Sequence, residues 1–145
     1  MISYWQALRS ILLPALLGLV VGCLLIGLGM GIFRVPPTSF SNFVAAWALG
    51  FFYALWAMVL GALPTFSYGA PLYALARLKS RASYGSALAI GSLPGLVLFL
   101  TTHDYVILAH GAAVGLCTHF FARRRPLDGL DANNSFKPNP LRESA

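Results

Sequence analysis

Between Asn42 and Lys79 the chain passes from a long apolar stretch into a cluster of positive charge, and that pairing leaves few folds open. Phe43 through Leu63 carries no charged residue, and the stretch ends in Arg77-Leu78-Lys79-Ser80-Arg81. An uncharged run longer than about 18 residues with basic residues massed at one end predicts a membrane span whose basic end stays in the cytoplasm. The whole chain fits that class. Only 10% of its residues are charged, against about 25% in a typical soluble domain.

Three further spans follow from the same reasoning. Ile11 to Phe33 is uncharged and about 34 Å long as a helix, enough to cross with some tilt. Tyr84 to Thr102 and Tyr105 to Phe121 make the third and fourth spans, joined by little more than His103-Asp104. That connection forces the last two into a tight antiparallel hairpin. The expected fold is therefore all-α, a compact bundle of four transmembrane helices at 11–33, 43–66, 84–102 and 105–121. Residues 126–145, with Asn133-Asn134, Pro138 and Pro140 and few large apolar groups, are expected to form a disordered tail.

Proline placement refines this outline. Met1 to Ser10 reads as a short leader with an interfacial Tyr4-Trp5 pair, and Pro14 as a residue of the first helical turns. Pro36-Pro37 ends the first helix. Pro64 and Pro71 bracket a kink or break at the basic end, with Leu72 to Arg81 as a short interfacial helix. Pro94-Gly95 predicts a bend midway along the third span.

Charge fixes the orientation. Arg9, Arg77, Lys79, Arg81, Arg123, Arg124, Arg125, Lys137 and Arg142 fall on one side of this topology and only Arg34 on the other. That asymmetry predicts both termini in the cytoplasm, in a bacterial inner membrane. It also accounts for the formal charge of +6 without a nucleic-acid partner, which would need Lys and Arg spread along a solvated face. A cleaved signal ending at Val20-Val21-Gly22-Cys23 is disfavoured, because the apolar run continues ten residues past Cys23. Cys23 and Cys117 lie at different depths, too far apart for a disulfide within one bundle.

Lipid removes the hydrophobic drive between helices, so close backbone approach must hold them together. Each span carries small residues at helical spacing. They are Ala15, Gly18, Gly22 and Gly29; Ala46, Gly50, Ala54, Ala57 and Gly61; Ala87, Gly91 and Gly95; and Gly111, Gly115, Thr118 and Ala122. Gly27 to Gly31, a Gly-Leu-Gly-Met-Gly run inside an apolar helix, is packing and not a phosphate loop. The second span has opposed faces, small residues on one and Phe52, Trp56 and Val59 on the other. Its small stripe together with Phe52 and Trp56 is the candidate surface for a membrane partner.

Chemistry is sparse. Ionisable groups inside the membrane are the usual pointers to function, and only His110 and His119 qualify, with His103 and Asp104 at the interface. Asp104 precedes the fourth span and suits an N-cap. No third ligand accompanies His103 and His110, so no metal is expected. His-Glu-x-x-His and Gly-x-Ser-x-Gly motifs are missing, no pair of carboxylates is available, and no enzyme or cofactor is expected. Small multidrug resistance transporters have four spans in a similar length but depend on a membrane-embedded Glu, which has no counterpart here. In topology alone, four spans with both termini inside resemble immunity proteins against pore-forming bacterial toxins.

The expected role is that of a non-catalytic protein making lateral helix contacts with a membrane partner, as a regulator, assembly factor or immunity protein. The expected partners are membrane lipid and either another integral membrane protein or a second copy. The alternative is a small homo-oligomeric channel or transport subunit lined by Thr65, Ser67, Ser92, Thr118 and His119. A lipid or envelope accessory using Arg77 to Arg81 is a third reading.

Overall fold

The computed structural model describes residues 3–124. They are helical, with no strand among the described residues. The helices are α1 (Tyr4–Arg34), α2 (Phe40–Pro64), α3 (Ala70–Leu78), α4 (Tyr84–Thr102) and α5 (Tyr105–Arg123), and a π-helical turn at Thr65–Gly69 joins α2 to α3. Four helical stretches are long and apolar enough to cross a membrane, namely Tyr4–Arg34, Phe40–Leu78, Tyr84–Thr102 and Tyr105–Arg123. The expected tail at 126–145 lies outside the described residues.

Local chemistry sets most of the boundaries. Ser3 accepts from the Gln6 N–H while Gln6 reaches back to the Ser3 N–H, a reciprocal cap that starts α1 at Tyr4. The expected leader is therefore already helix, and Pro14 lies three turns inside α1 rather than in its first turns. Ser83 and Ser86 cap α4 in the same reciprocal way, and Ser39 caps α2 by accepting from the Asn42 N–H. At the hairpin, His103 takes a left-handed conformation (φ 58°) that ends α4. Asp104 then accepts from the Val106 N–H at 2.9 Å to begin α5, the capping role its position suggested.

The expected kink or break between Pro64 and Pro71 takes the form of a π-helical turn. The Ala70 N–H bonds to the Thr65 carbonyl, five residues back. The π turn thereby absorbs a residue in a segment where proline removes N–H donors, and it re-aims the helix that follows. As a result α3 turns one face into the bundle. Ala70, Tyr73 and Ala74 are buried against Ala7, Ile11 and Ala15 of α1, with Ala87 and Ala122 completing the cluster.

Helix order in space is α2–α1–α5–α4. α1 packs along both α2 and α5, and α4 packs along the other side of α5. Glycines set the spacing. Gly27 and Gly31 of α1 lie on Ala46, Gly50 and Ala54 of α2; Gly18 and Gly22 lie on Thr118 and Val114 of α5; Gly91 of α4 lies on Gly111 and Gly115. Gly29, placed with the α1 stripe on sequence, faces outward with nothing within 4 Å. α2 and α4 do not pack together along their lengths, so the bundle is open on one side and not the compact four-helix bundle expected.

The α1–α3 core gives a direct test of this arrangement. Ile11 is fully buried and its neighbour Leu12 is 43% exposed. Between two states in lipid the transfer contribution to burial largely vanishes, while the cavity contribution remains. Ile11→Ala is therefore expected to cost about 2 kcal/mol, the low end of the range for soluble cores. Leu12→Ala should cost less than about 0.5 kcal/mol. Reversible unfolding in mixed micelles measures both, and equal losses would contradict the packing of α3 on α1.

Candidate functional site

The open side of the bundle forms an elongated cleft of about 410 Å³. α2 and α4 are its walls, α1 and α5 its back, and the π turn with the start of α3 closes the basic end. Its lining is mostly apolar, with Ala57, Gly61 and Leu60 on one wall and Ile90, Pro94 and Leu98 on the other. Arg34 and Asp104 border the far end.

One hydrogen bond ties the two walls together. Pro94 has no N–H, so the Ile90 carbonyl one turn earlier has no donor in its own helix. The Tyr68 hydroxyl, carried on the π turn, donates to that carbonyl. The turn at Thr65–Gly69 and the proline in α4 are thus two halves of one junction. Sequence reasoning flagged each proline separately and missed Tyr68, whose partner is 22 residues away.

A second cavity, of about 490 Å³, lies at the basic end and is lined by Tyr73, Arg77, Ala82, Ser83, Tyr84, His119 and Arg123. His119 is 7% exposed and Tyr73 3%. The Tyr73 hydroxyl and His119 Nδ1 are 2.5 Å apart. The Tyr84 ring meets the imidazole edge-on at a centroid distance of 4.3 Å. Beside this cavity, Arg124 is stacked over the Phe120 ring at 4.4 Å.

The remaining candidates separate. His110 Nδ1 is 2.8 Å from the Val106 carbonyl, which assigns the proton to Nδ1 and leaves Nε2 as an acceptor. Nε2 is buried and has no hydrogen-bond partner among the described residues. His110 and His119 are nine positions apart, about 14 Å along α5, so they serve opposite ends of the helix. His103 is exposed, with Nδ1 3.3 Å from the Phe99 carbonyl. Among the described residues no three His, Cys, Asp or Glu come together as a metal site. Cys23 and Cys117 are free thiols.

The α2 surface divides. Ala46, Gly50 and Ala54 are buried against α1. That half of the stripe is already used within the chain, and Gly50 would test folding rather than partner contact. Ala57 and Gly61 line the cleft. Phe52 and Trp56 are exposed and touch edge-on at 6.3 Å. Of the polar residues considered for a channel, Thr65 and Thr118 line the cleft, His119 lies in the basic cavity, and the Ser67 hydroxyl is bonded to the Leu63 carbonyl.

Set beside protein-family models, curated proteins and solved structures, the chain matches none of them.

Proposed function

We propose that this is a non-catalytic, multi-pass inner-membrane protein, with both termini in the cytoplasm, that acts by lateral contact with a helix of another integral membrane protein. The contact surface is the outer face of α2. Phe52 and Trp56 meet edge-on there, and Phe43, Trp47 and Phe51 form a ladder of rings on another side of the helix.

Trp56 carries the reading. Its neighbours Ala57 and Met58 pack on Leu19 and Cys23 of α1. That level is about 21 Å from Arg9 and about 17 Å from Arg34 along α1, close to the middle of the bilayer. Tryptophan normally sits in the interfacial belts, where its N–H finds water or headgroups. At 54% exposure and mid-depth, the indole is only partly covered by this chain, and an N–H left unsatisfied in hydrocarbon is costly. A partner helix offering an acceptor removes that cost, and large aromatic side chains are the usual anchors of such contacts.

A photoreactive phenylalanine analogue at Phe52 is expected to cross-link one integral membrane protein in cells. The same analogue at Leu25, 60% exposed on α1, should not. Trp56→Leu should reduce the Phe52 cross-link several-fold. Equal labelling at Phe52 and Leu25 would contradict the proposal, and a cross-link to a second copy would favour the homo-oligomeric reading.

A further inference from the structure

The two cavities share Tyr73 as a wall. Along α1 the cleft lining extends from Ala15 to Arg34, about 28 Å of helix axis and close to the full hydrocarbon thickness. Its mostly apolar lining over that length suits a hydrocarbon chain. At its basic end lies a cavity bordered by Arg77, Arg123, His119 and Tyr84. The only carboxylate among the described residues, Asp104, starts α5 at the opposite end, so the charge presented here is positive.

We propose that the cleft and the basic cavity form one binding site for a single anionic phospholipid. The phosphate lies against the Arg123 guanidinium, the Tyr84 hydroxyl and His119, and an acyl chain passes Tyr73 into the cleft. Guanidinium groups match phosphate oxygens with paired N–H donors. Tyr73 holds His119 in place: with its hydroxyl donating to Nδ1, the imidazole proton is on Nε2 and available to a phosphate oxygen. Basic pockets between transmembrane helices are suited to headgroups of this kind. The headgroup end of this site shares no residue with the partner surface on α2, and the two adjoin at Trp56, which also borders the cleft.

The test is native mass spectrometry of the full chain in neutral detergent, titrated with phosphatidylglycerol or with phosphatidylcholine bearing the same acyl chains. One phosphatidylglycerol should be retained, with clear preference over phosphatidylcholine. Loss of a charged hydrogen bond in Arg123→Gln should weaken it roughly tenfold, and Arg123→Lys should recover part of that. Arg124→Gln removes the same charge from the next residue, outside the cavity, and should change little. Gly61→Leu narrows the cleft, and the Cβ it adds meets only the flexible tip of Leu19, at 3.2 Å. It should weaken the long-chain lipid while leaving dihexanoyl phosphatidylglycerol unaffected. Unfolding curves of each variant verify that it is folded. Equal binding of the two headgroups, equal loss in Arg124→Gln, or displacement by millimolar inorganic phosphate would overturn the proposal.

Discussion

Gly91→Val is expected to destabilise the protein by about 3 kcal/mol, the upper end of the usual cost of overpacking. An added Cβ at Gly91 would collide with the Gly111 carbonyl oxygen and lie 2.8 Å from the Gly115 Cα. Both obstacles are backbone, so no side-chain rotation relieves them. α4 would have to move off α5, and α5 is the only helix along which α4 packs extensively. Gly29→Val is the matched control. Gly29 has nothing within 4 Å, and its substitution should change stability by less than about 0.5 kcal/mol. Unfolding by sodium dodecyl sulfate in mixed micelles, followed by circular dichroism or tryptophan fluorescence, compares the two. Similar curves for both variants would mean that α4 and α5 do not meet at these glycines.

The second large effect comes from the junction between the cleft walls. Tyr68→Phe removes the donor to the Ile90 carbonyl and leaves that oxygen without a partner, because Pro94 cannot supply an N–H. In an apolar setting the loss should be about 2 kcal/mol, within the range for a stranded buried acceptor. The same reasoning makes a sharper demand. Pro94→Ala restores an N–H one turn after Ile90, so Tyr68→Phe in that background should cost less than about 0.5 kcal/mol. The coupling between the two substitutions, measured as a double-mutant cycle, should approach the full single-variant loss. Additive effects would show that the hydroxyl and the proline do not share the carbonyl.

Both expectations concern what keeps the cleft open and in register. The glycine crossing fixes α4 on α5, and the Tyr68 bond fixes the basic end of α2 to α4. Between them the two walls have little other contact, which leaves a space as long as the bilayer is thick. The partner surface proposed on α2 and the lipid site proposed in the cleft thus adjoin at Trp56, which borders the cleft.

Several parts of this architecture were readable from residues alone. The bounds of α4 coincide with the expected 84–102, and α5 begins at Tyr105 as the His103-Asp104 connection required. Asp104 caps α5 as its position implied. Other residues were read in the right class but the wrong place. Gly29 belongs by angle to the α1 stripe yet faces out, while Gly27 and Gly31 make the contact with α2. Leu72 to Arg81 was read only as a short interfacial helix, and its packing on α1 through Tyr73 and Ala74 went unread. The sequence signals there were Ala70, Tyr73 and Ala74 on one helical face, masked by the basic residues that follow.

The division has a physical cause. Whether a stretch crosses a membrane depends on its own transfer free energy, and where a helix starts or stops depends on caps and prolines within a few residues. Such quantities add up along the chain, so composition and spacing determined the four long apolar helices and most of their ends. Which glycine touches which carbonyl depends on the relative placement of two helices, and a helical wheel holds no information about a neighbour. The order α2–α1–α5–α4, the burial of α3, the bond from Tyr68 to Ile90 and the two cavities that meet at Tyr73 were therefore decided only when the helices packed.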